Sequence, residues 1–521
     1  MTWNLKANWT LFALLACLIV AGVIYGLAIT PFVGDGYDDA HYITLAQSLA
    51  QGKGYRHLAA PGAPPEVKYP PGWPMLLALV WWLFPDFPAN AVWFKAVSAM
   101  FAIGFATVMY GWLRWRNEAA VKSLFIALLT LFSPHLLGLG TTAFSEMAFG
   151  FFSLLALWLV AVWMKRPTPH IGRTILTALV VAFTLYLRMF GLALITAVLF
   201  YVWHKRRNRD ALILTLLIIG LILPLLSRLL PSSPYLNEFT LKSMEHATLG
   251  RASIIDFLLR IVNNLRAYLL AGIPGAVLPS QVPLTYVNMP AALHLGRPWP
   301  GVDILLSVMV SGGVIGQILL RRSLSDWYVA FYLGMALLWP WEPTRFMVPL
   351  IPLMIEYFWF EVSILGQVLL GKRRQWRHRF RRLVFGGIAL FIAANMMVQS
   401  LFAFEVHRRP PSLAWQAQYR LYEWITVHTR ERDTLAGLPD FQLYLYTGHP
   451  VLRDLSSAES FAENDVKYVV LIPSGGVQVD GDLSRLRFDP VLTDYPDAFT
   501  QVYTDESAGI EVFRVDRKHL P

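Results

Sequence analysis

"WTLFALLACLIVAGVIYGLAITPFVGDGYDD", residues 9–39, decides the fold. Its first 22 residues carry no charge, and roughly 20 apolar helical residues suffice to cross a bilayer. The core of a cleaved signal is shorter, so the run reads as a retained span. An acidic cluster follows at once: Asp35, Asp38 and Asp39 stand at the predicted membrane edge, where carboxylates need a partner or a task.

The rest of the chain repeats the first half of that pattern. Of 521 residues, 56% are hydrophobic and 15% charged, with a mean hydropathy of +0.47. Soluble domains carry about 25% charged residues, so the solvent for most of this chain is lipid. Further apolar runs fall at 91–113, 119–139, 142–164, 172–188, 189–204, 211–230, 302–320, 326–341, 346–369 and 383–402, giving about eleven transmembrane helices. The runs 189–204 and 326–341 are the shortest. Cys17, the single cysteine, lies inside the first span and excludes intramolecular disulfides and cysteine-rich metal sites. The sequence pI of 9.5 does not point to a nucleic-acid partner, because the basic residues sit between spans rather than on one face.

Those basic residues orient the chain. With a cytoplasmic N-terminus, the inner loops hold "RWR" (114–116), "KRPTPHIGR" (165–173), "HKRRNR" (204–209), "RR" (321–322) and "GKRRQWRHRFRR" (371–382). Together with Lys6 and Lys122 they carry 20 Lys and Arg against three acids, Glu118, Asp210 and Asp326. The acidic cluster then faces outward. Residues 1–404 form the membrane domain, with outer loops 31–90 and 231–300, and 405–521 form a small extracytoplasmic α/β domain. The latter has 12 basic against 18 acidic residues, a net charge of −6, a helix near 412–429, and β-like runs at 466–473 and 509–515. In the first loop, "KYPPGWPMLLALVWWLF" (68–84) is short enough to lie in the interface. In the second, "ASIIDFLLRIVNNLRAYLL" (252–270) is amphipathic, with Arg260 and Arg266 placed to reach headgroups. No internal repeat is present, and "GGVIG" (312–316), inside a span, reads as helix packing.

Charged groups near lipid are costly, which makes the survivors candidates. They are Asp35, Asp38, Asp39, Glu146, Lys68, Arg188 and Arg345, all on the predicted outer side. Asp38 or Asp39 is placed to cap a helix over "AHYITLAQSLA", ended by Gly52 and Gly54, which fixes the acids at a helix N-terminus. An ionised carboxylate there can take the proton of an acceptor hydroxyl. Arg345, beside Glu342, can fork onto two phosphate oxygens. Arg188 and Lys68 are further cations, and Glu146 is a second acidic wall. An anionic, membrane-embedded donor meeting a hydroxyl acceptor uses both kinds of group. A transporter or flippase also fits many spans with intramembrane charge. It does not need two large outer loops and an acidic outer domain, and the Gly- or Pro-interrupted half-spans of repeated transporters are not seen. A polysaccharide ligase for lipid-linked glycans is the other alternative.

At these residues the sequence resembles the GT-C glycosyltransferases, in the branch of protein O-mannosyltransferases and bacterial lipid A aminoarabinose transferases. "DDAHYITLAQSLAQGKGY" (38–55) is similar to the family's Asp-Glu-Ala-x-Tyr start of the first outer loop. "KYPPGWPMLLAL" (68–79) resembles its Pro-Pro interface helix, "FSEMAFGFFSLLAL" (144–157) its Ser-Glu span, and "RFMVPLIPL" (345–353) its Arg-Tyr/Phe-x-x-Pro-x-x-Pro span. Residues 424–451 resemble the outer C-terminal domain of bacterial members. The resemblance implies a polytopic GT-C enzyme of the bacterial inner membrane. It would move a sugar, with inversion, from a polyprenyl-phosphate donor to a hydroxyl of a protein, glycolipid or polysaccharide acceptor, on the extracytoplasmic side. Asp38 would be the general base, Glu146 the second acid, and Arg345, with Lys68 or Arg188, the holder of the donor phosphate. Asp39 stands where the family has Glu, and Asp35 has no counterpart. Glu66 and Lys68 in "EVKYPP" match the family's Glu-Lys only with a shift. A divalent metal, shared with a later-loop histidine such as His246 or His294, is the one cofactor left open.

Overall fold

A computed structural model of the protein describes residues 5–34, 36–166, 170–205, 209–229, 234–242, 250–277, 300–341, 344–371, 374–431, 433–453, 455, 457–473 and 483–521. Asp35, His246, His294 and Glu342 lie outside the described residues, and statements of number below refer to those that are described.

The charge-free first run forms α1 (Leu5–Ala28). The segment after it, expected as the first outer loop, gives α2 (Asp38–Ala50) and α3 (Gly72–Leu83), which pack together. Two indoles tie them: Trp81 donates to the Ile43 carbonyl at 3.0 Å and Trp82 to that of Ala50 at 3.1 Å. The bundle continues with α4 (Ala91–Trp115), α5 (Ala120–Leu131), α6 (Pro134–Gly140), α7 (Glu146–Met164), α8 (Ile171–Leu187), α9 (Gly191–Lys205) and α10 (Arg209–Leu229). The segment expected as the second outer loop carries α11 (Pro234–Thr240), α12 (Ile254–Ala267) and α13 (Ile273–Val277). After it come α14 (Pro300–Leu320), α15 (Leu324–Leu338), a 3₁₀ turn at Thr344–Leu350, α16 (Ile351–Leu370) and α17 (Arg374–Arg408).

Seven helical segments are long and apolar enough to cross a membrane, or eight if α5 and α6, bent by 52°, form one broken span. The break falls where Ser133 is extended ahead of Pro134, because a proline ring excludes the helical conformation from the residue before it. Each remaining expected span is a helix, but α8, α9 and α15 have only 17, 15 and 15 residues. At 1.5 Å per residue they reach about 22–26 Å, against roughly 30 Å of hydrocarbon. The chain is a multi-pass helical membrane protein in which these three helices are shorter than the hydrocarbon is thick. Pro340 explains one of the stops, since Trp339 before it is extended.

Helix α12 is built inside out. Ser253 and Asp256 form a capping box at its start. Ile254, Ile255, Leu258, Leu259 and Val262 are exposed, while Asn264 is buried and donates to the Leu337 and Trp339 carbonyls. Arg260 departs from the headgroup role expected of it. Its guanidinium donates to the Phe239 and Leu241 carbonyls at 2.8 and 2.5 Å, tying α12 to α11. The apolar face turns away from the protein, as an interfacial helix requires.

Beyond α17, α18 (Leu413–His428) covers a five-stranded sheet of order β2-β1-β3-β5-β4. The strands are β1 (Thr434–Leu438), β2 (Val451–Leu452), β3 (Val466–Leu471), β4 (Phe499–Asp505) and β5 (Ile510–Val515). β1 pairs in parallel with β2 and β3, whereas β5 is antiparallel to both β3 and β4. Alternate residues of β3 serve opposite cores. Val470 packs with Trp415 and Leu421 of α18, and Val469 and Leu471 pack with Phe461 and Phe488. Helix α19 (Asp440–Thr447) leaves the C-terminal end of β1 and rests on α2.

Gly313 of α14 lies so close to α16 that a Cβ there would sit 2.3 Å from the Tyr357 carbonyl oxygen. Backbone cannot give way as a flexible side chain can. Gly313→Val is therefore expected to destabilise the detergent-solubilised protein by about 1–3 kcal/mol, read as a lower melting temperature. Gly220, with no atom within 4 Å of a built Cβ, is the control.

Candidate active site

The turn before α2 is crowded. A Cβ on Gly36 would lie 2.2 Å from the Phe144 ring, so any larger residue there would have to displace that buried ring. α2 starts at Asp38, and its N-cap is Tyr37, which makes no side-chain cap. Neither aspartate therefore takes the capping role expected. Asp39, 2% exposed, turns back and accepts from the Gly34 amide at 2.9 Å, holding the turn. Asp38 faces the bundle instead, with 22% of its side chain exposed.

Four of the expected residues meet there, from α2, the start of α7, the α8–α9 junction and the 3₁₀ turn. Asp38 Oδ2 accepts from Arg345 Nη1 at 2.9 Å, and Oδ1 accepts from the Tyr69 hydroxyl at 2.8 Å. Arg345 Nε donates to Glu146 Oε1. Arg188 Nη1 reaches the same oxygen at 2.7 Å and also donates to Ser145 Oγ at 3.0 Å. The Arg345 guanidinium lies 4.3 Å from the centroid of the Phe144 ring, that of Arg188 5.5 Å from the Phe346 ring. Glu146 is 1% exposed and shut away from solvent, whereas Asp38 and both arginines keep an open edge.

Lys68 is adjacent but engaged elsewhere. Its ammonium pairs with Glu238 of α11 at 2.5 Å and lies within 6.0 Å of the Tyr69, Tyr235 and Trp341 rings. It still helps to stabilise the Asp38 carboxylate across space. Burial alone would raise the Asp38 pKa, but Arg345, the Tyr69 hydroxyl and Lys68 outweigh it and hold the carboxyl below its ordinary value.

Glu66 sits behind this group. Its Oε1 accepts from the Lys68 and Tyr69 amides at 2.6 and 3.2 Å, and Oε2 lies 2.9 Å from His41 Nε2. Burial opposes its charge, yet His41 and the two amides lower its pKa from 4.5 to about 2. Glu66 thus shapes the backbone that carries Lys68 and Tyr69. Among the described residues, no group of three or more His, Cys, Asp or Glu side chains is arranged to hold a metal ion.

Sequence reasoning singled out the charges and missed the neutral and remote partners. Tyr69 stands beside Lys68 in the quoted "KYPPGW", so the signal was adjacent. Tyr37 donates to Asp440 Oδ1 at 3.0 Å, and nothing in the sequence marks that contact across 403 positions.

The fold has counterparts among solved structures. ArnT from Cupriavidus metallidurans bound to undecaprenyl phosphate matches with a TM-score of 0.56 at 14% identity, over 99% of this chain and 99% of that one. The Archaeoglobus fulgidus oligosaccharyltransferase in the apo form gives 0.58 at 13% identity, over 97% of this chain and 81% of its own. The archaeal oligosaccharyltransferase AglB from Archaeoglobus fulgidus, in complex with an inhibitory peptide and a dolichol-phosphate, gives 0.57 at 13% identity, over 100% of this chain and 75% of that one. The chain thus shares the fold of these proteins, the polytopic helical architecture expected from the GT-C resemblance, and ends in a small sheet domain. No family model matches the sequence, and no curated protein matches it either.

Because Glu66 is ionised at a lower pH in the folded protein than in the unfolded chain, it adds stability that is full above pH 4.5 and drains away as pH falls towards 2. The difference corresponds to about 3 kcal/mol. Glu66→Gln is expected to lower the melting temperature at pH 7, with the gap to wild type narrowing below pH 4.5; a gap that stays constant with pH contradicts this.

Proposed function

We propose that the protein is an integral membrane glycosyltransferase that moves a sugar from a polyprenyl-phosphate donor to an acceptor hydroxyl, with inversion, on the extracytoplasmic side of the bacterial inner membrane. One observation carries the reading. A partly exposed, ionised carboxylate, Asp38, shares Arg345 with a fully buried one, Glu146, at the end of a lipid-embedded bundle. A transfer from a lipid phosphate to a hydroxyl needs a base and an anion holder side by side, at the depth where the lipid's phosphate lies. The fold supports it: ArnT, of the same architecture, binds undecaprenyl phosphate. The exposed apolar faces of α3 and α12 provide the interfacial surface along which a lipid tail can approach.

In this mechanism the donor phosphate takes Arg345 Nη1 from Asp38, while Nε stays on Glu146. The guanidinium is already oriented, because Glu146 and the Phe144 ring fix it before the donor arrives. Arg188, held on Ser145 and Glu146, adds a second positive group, and Lys68 a third if it leaves Glu238. Releasing Asp38 from Arg345 restores its basicity. Its carboxylate then accepts the acceptor's hydroxyl proton as that oxygen attacks C1 of the sugar from the face opposite the phosphate. The C1–O bond breaks, and polyprenyl phosphate departs with its new charge neutralised by the arginines. Glu146 positions rather than contacts the reactants. The outer loops and the C-terminal α/β domain, 405–521, would face the acceptor.

The test is a transfer assay with a panel of polyprenyl-phosphate sugars. Asp38→Asn should lower kcat by about 10²–10⁴-fold, the usual weight of a positioned base. Wild-type kcat/KM should fall on acidification only below the ordinary carboxylate range, because the ionised Asp38 is the active form and its pKa is lowered. Arg345→Gln should raise the donor KM and move that acidic limb to higher pH. Full activity of Asp38→Asn on the preferred donor overturns the base assignment.

A further inference from the structure

We infer that Asp440, on the outer α/β unit, positions Asp38 by holding Tyr37 at the centre of a strained γ-turn. The inference rests on the role of Asp38 proposed above and adds a device that no comparison assigns.

The turn is defined by its backbone. Tyr37 has φ 59° and ψ −56°, and the Asp38 amide donates to the Gly36 carbonyl at 2.6 Å. That is a three-residue turn of the positive-φ kind, which is rare and strained. A residue with a Cβ adopts it only where the surroundings compel it.

The surroundings here come from both halves of the protein. On the bundle side, Gly36 is pressed against Phe144. On the other side the Tyr37 hydroxyl donates to Asp440 Oδ1 at 3.0 Å and accepts from Arg453 Nη1, and its ring meets Phe441 edge-on at 5.6 Å. Asp440 is fully buried at the first position of α19, so it cannot follow a moving tyrosine. The neighbouring strap is tied to the same helix, as the Val33 amide donates to the Tyr446 hydroxyl at 3.1 Å.

The consequence falls on the next residue. Asp38 is the first residue of α2, and its carboxylate reaches Arg345 and Tyr69 from the direction that this turn imposes. A relaxed turn at Tyr37 redirects the start of α2 and moves the carboxylate off its partners. The outer unit therefore acts on the reaction through a hydroxyl clamp, without touching the reactants.

Simple packing and clamped strain make opposite predictions at position 37. If the ring only fills space, phenylalanine is the mild substitution and glycine the severe one. If the hydroxyl holds a strained turn, phenylalanine keeps the strain and loses the clamp, whereas glycine removes the strain because it has no Cβ.

Tyr37→Phe, Tyr37→Gly, Asp440→Ala and the Tyr37→Gly/Asp440→Ala pair are compared with wild type in the full-length protein, alongside Asp38→Asn. Tyr37→Phe and Asp440→Ala should each lower kcat about 10-fold or more with little change in donor KM, the rate equivalent of the released strain. Tyr37→Gly should recover most of that loss, and Asp440→Ala should cost little more in the glycine background. Glycine worse than phenylalanine, or costs that simply add, overturns the inference. An active Asp38→Asn instead overturns the reading of the base. Hydrogen exchange of the peptide spanning 33–42 decides independently of turnover: Asp440→Ala should speed it about 10-fold or more, and an unchanged rate contradicts the clamp.

Discussion

Everything at this site depends on one oxygen atom. Glu146 Oε1 receives both Arg345 and Arg188, from segments that would otherwise have no reason to converge. A carboxylate this buried must be paired, and removing either partner leaves an uncompensated charge in a medium that penalises it by several kcal/mol. The pair of arginines is thus fixed from behind by a group that no substrate reaches. Arg345 also reaches Asp38, the one acid of the set that keeps an open face. In the proposed reaction such a site would spend little on reorganisation, because the arginines are locked before a donor arrives.

The same economy of roles separates residues that looked alike. Asp38 and Asp39 are sequence neighbours, yet one opens onto Arg345 and Tyr69 while the other closes the turn on the Gly34 amide. Two consecutive helical residues point about 100° apart, so only one of a pair can face the bundle. Glu66 and Glu146 are both buried carboxylates, but Glu66 organises backbone amides and His41, and Glu146 organises arginines. Under the proposed function the chemistry falls to the exposed Asp38, and the buried carboxylates hold its surroundings.

How much of this was legible in the sequence follows from what carries a cost. The helices at each expected span, and Asp38, Glu146, Arg188 and Arg345, were readable because charge beside lipid is expensive and therefore conspicuous. The three short helices were less so. Periodicity shows an apolar run, whereas the breaks at Arg188–Phe190 and Trp339 depend on backbone geometry. The capping role given to the aspartates failed for a related reason: Tyr37 adopts a positive φ that no propensity anticipates. Lys68 was legible as a cation, but not its engagement with Glu238, 170 positions away. Asp440 was invisible, since an aspartate away from the apolar runs costs nothing until the fold buries it. Asp35 falls outside the described residues, as do His246 and His294, on which the alternative of a metal shared with a later-loop histidine rests.

The central claim is that Arg345 is exchanged between Asp38 and the donor's phosphate. Difference infrared spectroscopy of the carboxyl groups, with Asp38→Asn as the subtraction, measures the titration of Asp38 directly in detergent micelles, with and without polyprenyl phosphate. The account predicts that the lipid phosphate raises the Asp38 pKa from its lowered position towards the ordinary carboxylate range, as Arg345 leaves it. An Asp38 titration that is unchanged, or shifts lower, on addition of the lipid contradicts the exchange.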